Sequence, residues 1–427
     1  MMPVGRKLGG TGESVTRPYP ILENIDQVLP LLKDRKEFKI RHNLIHGYKY
    51  SAIDYAIIGK DTFSHPILRE CRGLKFDTDT GEILARSIHK FYNINETDES
   101  QAHSIPLLSI KKIYIKHDGS LIHPLVFGDH VVWVTKLGHD SGDPRFISPA
   151  EDVHKYTQLD DSMYINTAIQ NYYKKHPDRT LLFEFVKKVP QGDVISKYPE
   201  DRLYGLYSRD VTTGEYFEFP KELLNVQGIY ESHYYVVADF PFVENTSQLI
   251  HVLDNLSERS IDPSVTDDLI TEPIYEGYVF LTNENTLFKL KSSQYVQRSK
   301  INTLIVNKKY VVNKILSETI DDIIPIIKEL FPDRSDIFNY ITKVHETWFT
   351  YIEDVRNETK VMQGQYNTTK EFAMSTAPTT TAKAHILAEW SGKNWAGSIK
   401  ANALQNTAIE RHSGIIDRIN LIPFYGD

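Results

Sequence analysis

Cysteine is almost missing from this chain: Cys71 stands alone among 427 residues. One thiol closes no internal disulfide and supplies no cysteine-rich zinc site. A reducing, intracellular setting fits this usage, and a cytoplasmic location is expected. Long apolar runs are missing too. None approaches the roughly 18 residues of a membrane span, so no membrane partner is expected. The first residues, MMPVGRKLGGTGESV, start basic but have no apolar stretch behind, unlike a secretory signal. Residues 1–18 are expected to form a flexible tail, because Gly and small polar side chains bury too little surface to order themselves. Within that tail GGTGES lacks the lysine and the spacing of a phosphate-binding P-loop. An excess of positive charge is also absent, the net charge being -8. That argues against coating nucleic acid over a long footprint, but not against gripping a few phosphates at one patch.

What is present is enough chain for two or three domains and a sizeable core. The spacing in LENIDQVLPLL predicts a helix over residues 22–32, followed by short alternating runs up to about residue 93. Between residues 110 and 295 short segments rich in β-branched and aromatic residues predict strands. They are KIYIK (112–116), VVWVTK (131–136), LLFEFV (181–186), RLYGLYS (202–208), YVF (278–280) and LFKLK (287–291). Turn signals separate them at Asp118–Gly119, Gly214 and Asn283. Antiparallel strands with a few helices make an α+β domain, assigned to residues 19–300. After residue 300 the texture turns helical. Ile337, Phe338, Ile341, Val344, Trp348, Tyr351, Ile352 and Val355 recur at helical steps over residues 335–355, with Ser335 as the expected N-cap. A Thr-rich link at 376–381 precedes further helical segments, so an all-helical domain is expected over residues 301–427.

The strand KIYIK runs directly into HDGS. If the strand continues, Lys116 and Asp118 point to one face, and Gly119 permits a sharp turn and close approach of a ligand. A protonated lysine is a poor nucleophile, with about one in a thousand neutral near pH 7.4 at its ordinary pKa. Burial or a nearby cation favours the neutral amine, and cations also neutralise phosphates during phosphoryl transfer. Further cations should therefore lie on other strands. FKLK supplies them, with Lys289 and Lys291 on one strand face and Phe288 and Leu290 on the other. Upstream lie Glu276 in YEGYVF and Glu184 in FEFV, carboxylates among apolar neighbours that suit a ribose hydroxyl or a hydrated metal. Each piece alone has a bland reading: a hairpin turn with an exposed lysine, a solvated strand face, a salt-bridged glutamate. Their combination in this order carries the argument.

In that order KHDGS (116–120), FEFV (183–186), EGYVF (276–280) and FKLK (288–291) resemble the motif series of the covalent nucleotidyltransferases: DNA ligases, RNA ligases and capping enzymes. RECRG (69–73) and HKFYN (89–93) resemble the lead-in of RNA ligase 1 proteins from T-even-like bacteriophages, with related segments in fungal tRNA ligases. YGLYSRDVTTGEY and KSSQYV are similar to the same family, and the resemblance covers about residues 40–300. It implies two antiparallel sheets flanked by helices with ATP between them. Lys116 would attack the α-phosphate of ATP and carry AMP. Arg72 and Lys90 would contact the phosphates, Tyr92 would be the aromatic of the lead-in segment, and Lys136 a further lysine of the site. Gly119 would adjoin the nucleotide. Glu184 would bind the ribose, and Glu276 would hold a hydrated divalent metal or orient Lys116, with Glu184 as a second water-mediated contact. Lys289 and Lys291 would bind the α-phosphate near Tyr295.

The function implied is ATP-dependent joining of 5′-phosphate and 3′-hydroxyl RNA ends, as in tRNA repair, with Mg²⁺ or Mn²⁺, in a monomer. If the gene is phage-borne, the host cytoplasm is the location. The helical texture after residue 300 sets the chain apart from DNA ligases and capping enzymes, which append an OB-fold barrel. A fungal-type ligase requiring a 2′-phosphate and a non-catalytic RNA-binding protein are the alternatives. Residues 286–317 contain seven Lys and Arg residues and no Asp or Glu. Arg298, Lys300, Lys308 and Lys309 are accordingly expected to contact RNA, against the bland reading of a solvated helix face.

Overall fold

The computed structural model describes residues 19–59, 61–140, 147–162, 164–188, 196, 198–259, 276–305, 307–331, 334–404 and 413–425. The expectations for residues 1–18 lie outside these. The chain divides into two compact units, Met1–Tyr295 and Val296–Asp427.

The strands of the first unit, in chain order, are β1 (Phe38–Ile45), β2 (Tyr48–Tyr55), β3 (Leu74–Asp77), β4 (Ile83–Ala85), β5 (Tyr92–Asn93), β6 (Ile110–Lys116), β7 (Ser120–Phe127), β8 (His130–Val134), β9 (Arg179–Val186), β10 (Arg202–Asp210), β11 (Tyr216–Glu218), β12 (Ile229–Glu231), β13 (Tyr234–Tyr235), β14 (Gly277–Thr282) and β15 (Leu287–Lys291). They form a mainly antiparallel α+β domain, as the strand-rich texture predicts. It holds three sheets rather than two: β1-β2-β3-β4, β11-β10-β9-β7-β8 with β12 beside β10, and β13-β6-β14-β15-β5. The additional four-stranded sheet comes from the mixed segment before residue 93. There β1 buries the polar Asn43 and exposes the apolar Ile40 and Leu44, so its sequence carries no clean alternation.

The predicted helix over 22–32 is instead a single 3₁₀ turn, Ile25–Gln27, and a short helix, Leu29–Leu32. Pro30 has no N–H to continue an existing helix, so it sits in the first turn of a new one. Each larger sheet has its own apolar layer. Ile122, Phe183, Phe185 and Leu203 pack beneath the six-stranded sheet, and Ile113, Tyr278, Phe280 and Phe288 beneath the five-stranded one. Cys71 is buried with Leu68 and Leu74 and is an ordinary packing residue.

The second unit contains no strand among its described residues. Its longest helix, Ser335–Gln365, runs ten residues past the predicted end and buries Ile337, Ile341, Val344, Trp348, Tyr351 and Val355. Ser335 is the first helical residue rather than the cap, which is Arg334 and makes no side-chain capping bond. Val311, Ile315, Ile327, Ile399, Ile415 and Ile419 from the surrounding helices complete that core.

Candidate functional site

The KHDGS turn is not a hairpin. β6 pairs with β13 and β14 in one sheet, whereas β7 pairs with β8 and β9 in another. The chain therefore changes sheet at this turn, and Lys116 ends its strand where the two sheets meet. The turn is fixed from below. Asp118 is buried and does not face the cavity beside Lys116. Its carboxylate accepts from the Tyr295 hydroxyl at 2.9 Å and from the Ser196 amide at 2.9 Å. Its own amide donates to the Tyr198 hydroxyl at 2.9 Å. Gly119 serves the same junction: a Cβ there would stand 2.4 Å from the carbonyl oxygen of Phe185. The close approach the glycine permits is thus to β9.

Register then assembles the charges. β14 lies between β6 and β15, and Gly277 is opposite Lys116 on one side and Lys291 on the other. Two residues on, Val279 is opposite Tyr114 and Lys289. One face of this sheet thus presents Lys116, Lys289 and Lys291 together, since alternate residues share a face. Gly277 has φ +146°, and a Cβ there would lie 1.9 Å from the Leu290 carbonyl oxygen, so only glycine fits. Glu276, just before it, is buried and forms ion pairs with Lys116 through one carboxylate oxygen and with Lys291 through the other, at 2.8 Å. Burial pushes the Glu276 carboxyl up, but the two ammonium groups outweigh it and hold its pKa below the ordinary value.

These side chains open into a cavity of about 600 Å³, within the range of nucleotide-sized pockets. Arg72, Lys116, Gly119, Lys136, Glu184, Glu276, Lys289 and Lys291 all line it. The Lys289 ammonium makes no ion pair or hydrogen bond among the described residues and stands 5.2 Å from the Phe91 ring centre. Burial, reinforced by the charges of Lys90, Arg72 and Lys116, pushes its pKa down to about 7. Glu184 is half-buried on β9, and burial, with Glu276 and Asp118 adding to it, pushes its carboxyl up to about 7. Lys136, just beyond β8, pairs with Asp54 at 3.1 Å. Arg72 donates to the Ile88 carbonyl at 3.2 Å.

Three residues expected at the nucleotide do not line the cavity. Lys90 and Tyr92 fall on the other face of the β5 segment, since alternation turns Phe91, not its neighbours, inward. Lys90 is buried over the Tyr92 ring at 4.9 Å and pairs with Glu96 at 3.5 Å. It bears on the site through its charge on Lys289. Tyr295 buttresses Asp118, and Lys291 stands 5.3 Å from its ring centre. Sequence reasoning missed Phe91 and Asp54, which line the cavity, and Glu70 behind it. Glu70, inside RECRG, is buried between Arg86 and Arg209, each at 2.9 Å. Arg209 also donates to the Ser87 carbonyl, so this charge triad anchors the segment that carries Ile88 and Phe91. Nothing local in the sequence links Glu70, at the end of the helix Pro66–Glu70, to Arg86 just after β4 and Arg209 on β10.

In the second unit Lys300 and Lys309 are exposed and Lys308 is half-exposed. Arg298 is buried and so is not part of an exposed basic face.

The raised Glu184 carboxyl carries a consequence for stability. Its folded pKa of about 7 exceeds its ordinary value, so the folded protein holds a proton that the unfolded chain gives up between about pH 4.5 and 7. The resulting cost is absent below that window and complete above it. Glu184→Gln is therefore expected to raise Tm at pH 8 by a few degrees, for a gain on the order of 1 kcal/mol, and to leave it unchanged at pH 4. Thermal unfolding at the two pH values checks this, and an equal shift at both would remove titration as the cause.

A family model described as RNA ligase matches residues 70–303, more than half of the chain. A candidate RNA ligase from Thermovibrio ammonificans is 25% identical over 209 residues, covering 47% of this chain and 49% of that protein. A candidate bifunctional polynucleotide kinase/RNA ligase of Autographa californica nuclear polyhedrosis virus is 27% identical over 192 residues, covering 42% of this chain and 27% of that protein. The chain thus spans half or less of the length of these relatives. Among solved structures, a mutant Naegleria gruberi RNA ligase with ATP and Mn is 15% identical with a TM-score of 0.36, covering 66% of this chain and 84% of that one. A candidate ATP-dependent DNA ligase from Aquifex aeolicus is 13% identical with a TM-score of 0.39, covering 78% of this chain and 81% of that one.

Proposed function

The chain belongs to the RNA ligase family, and on that footing we propose that it joins a 5′-phosphate to a 3′-hydroxyl on RNA, using ATP and a covalent AMP carried by Lys116. The observation that supports this most is the shared register of β6, β14 and β15. It sets the Lys116 amine against a carboxylate and beside two further ammonium groups, at the wall of a nucleotide-sized cavity.

The reaction has three displacements at phosphorus. The Lys116 amine, after losing a proton, attacks the α-phosphorus of ATP; a P–N bond forms and the P–O bond to pyrophosphate breaks. Glu276 is placed to hold Lys116 in line and to ease departure of its proton. Lys289, Lys291 and Arg72 offset charge on the phosphates, the cations doing their work at fixed positions in a partly dry site. Next an oxygen of the RNA 5′-phosphate attacks the AMP phosphorus and breaks the P–N bond, leaving AMP-capped RNA and a free amine. The 3′-hydroxyl then attacks the capped 5′-phosphate, and AMP departs with the bridging oxygen.

Among the described residues no group of three or more His, Cys, Asp or Glu forms a metal cage. Glu276 already engages two ammonium groups, while the Glu184 carboxylate makes no hydrogen bond among the described residues. This donor set fits Mg²⁺ or Mn²⁺ held chiefly by nucleotide phosphates and water, with Glu276 and Glu184 as water-mediated contacts; Glu184 also suits the ribose hydroxyls. The ion, when bound, neutralises phosphate charge.

Single-stranded ends, and breaks in tRNA loops in particular, are the substrates this reading favours, because the lead-in segments are similar to the phage RNA ligases. Incubation with labelled ATP and 5′-phosphorylated single-stranded RNA should yield RNA circles and an AMP-capped intermediate. A folded protein that produces neither from ATP, divalent metal and RNA would overturn the reading.

A further inference from the structure

We propose a second anion site, wholly inside the helical unit, that holds a phosphate ester in a cavity of about 370 Å³ lined by Lys300, Tyr310, Lys314, Ser317 and Thr319. It is separate from the Lys116 cavity and does not depend on the chemistry assigned there.

Ion pairs neutralise part of the positive charge of this unit but none of it at the cavity. Arg334 pairs with Asp336, Arg418 with Asp354, Arg356 with Glu389 and Lys400 with Glu318. Lys300 and Lys314 make no ion pair among the described residues, although the chain as a whole is acidic. Lys343, Lys360 and Lys370 also make no ion pair among the described residues, and what sets Lys300 and Lys314 apart is that they share one concavity. Two cations left without carboxylates at one concavity form a local positive potential that attracts anions.

The acid closest in sequence is turned away. Glu318 lies between Ser317 and Thr319, and its backbone is in the left-handed region at φ +58°, rare outside glycine. It does not line the cavity; its carboxylate pairs with Lys400. The residues on either side do line it, their hydroxyls 2.8 Å apart. The Tyr310 hydroxyl makes no hydrogen bond among the described residues, and the Lys314 ammonium stands 5.7 Å from the Tyr310 ring centre. The two ammonium groups and the Tyr310 hydroxyl are donors for a phosphate, the cations supplying charge and the hydroxyl a directed hydrogen bond; the Ser317 hydroxyl, which donates to the Lys314 carbonyl at 3.2 Å, and that of Thr319 would turn to join them. A carboxylate ligand would need fewer donors, and an apolar one would leave the lysines unsatisfied.

The phosphate can belong to an RNA backbone or to a small phosphate compound. Two measurements on the full chain separate these sources. The first is the salt dependence of binding to a labelled single-stranded RNA bearing a 5′-hydroxyl, by fluorescence anisotropy. The second is the number of inorganic phosphate ions bound, by calorimetry. If RNA is the source, Lys300→Ala/Lys314→Ala weakens RNA binding and lowers the slope of log affinity against log salt by about 1.4, the loss of two single-strand phosphate contacts. Tyr310→Phe keeps the ring and weakens affinity with the slope unchanged, since it removes a neutral donor. If a small phosphate is the source, the double variant binds one inorganic phosphate fewer while RNA binding keeps the parent slope. Lys360→Ala, an exposed lysine elsewhere on the unit, is the charge control and should match the parent. Parent behaviour of the double variant in both measurements, or an equal change with Lys360→Ala, would overturn the proposal.

Discussion

Lys116→Ala protein incubated with labelled ATP and Mg²⁺ should take up no label, where the parent gains the mass of one AMP. The effect is the largest any single substitution here should produce, because under the proposed mechanism it deletes the atom to which phosphorus would bond rather than a group that tunes the bond. Glu276→Gln is the informative companion. The change keeps the size of the side chain and removes its charge, so two ammonium groups on one sheet face lose the carboxylate they share. AMP uptake should slow severely without vanishing, since the nucleophile remains. RNA that is already AMP-capped gives a third arm. Sealing of such RNA bypasses the lysine as a nucleophile, so Lys116→Ala should retain it in part, while an inert protein would retain none. Intact mass spectrometry reads the first two arms and gel analysis the third. Undiminished covalent AMP on the alanine variant would mean that another side chain is the acceptor and that the β6–β14–β15 row has been misread.

The parts of this site that were legible in the sequence are those whose geometry is local. Alternation within FKLK places Lys289 and Lys291 on one face and Phe288 in the core, and the strand does this. KIYIK and LLFEFV read as strands because β-branched and aromatic residues fill both faces of sheets packed on two sides. What was not legible depends on register between distant segments. Glu276 bridges Lys116 and Lys291 only because Gly277 falls opposite both, and nothing within one strand states which residue of another it will face. Lys116 and Asp118 do not share a face for a different reason: the strand ends at Lys116 and the chain leaves its sheet at His117, so alternation does not carry across. At HKFYN the strand is two residues long, too short for a period to declare which aromatic points inward, and Phe91 took the place expected of Tyr92. Pro30 is a local signal that the apolar pattern of residues 22–32 masked.

Nucleotide binding should weaken as pH rises through neutrality. Lys289 has its pKa near 7, pushed there by burial and by Lys90, Arg72 and Lys116, with Glu96 opposing. Below that pH it is an ammonium group that attracts phosphate; above it the charge is lost. Bound ATP brings negative charge beside the amine and favours the protonated form, so binding between about pH 7 and 9 should draw a proton from solvent. Affinity for ATP should then fall as pH rises, by up to about tenfold per unit where the charged form alone binds well. Phosphate groups with a second pKa of about 6 are fully ionised across this range, so ATP itself does not impose the trend. Glu184 titrates near the same pH and, by becoming negative, pushes in the same direction. The Glu184→Gln variant therefore isolates the lysine. Calorimetry in buffers of different ionisation heat measures the proton taken up. In the Glu184→Gln background, adding Lys289→Met should abolish the uptake and make binding weaker and flat with pH. Proton uptake that survives Lys289→Met in that background would place the titrating cation elsewhere in the cavity, and binding that strengthens with pH in the parent would reverse the sign on which the argument rests.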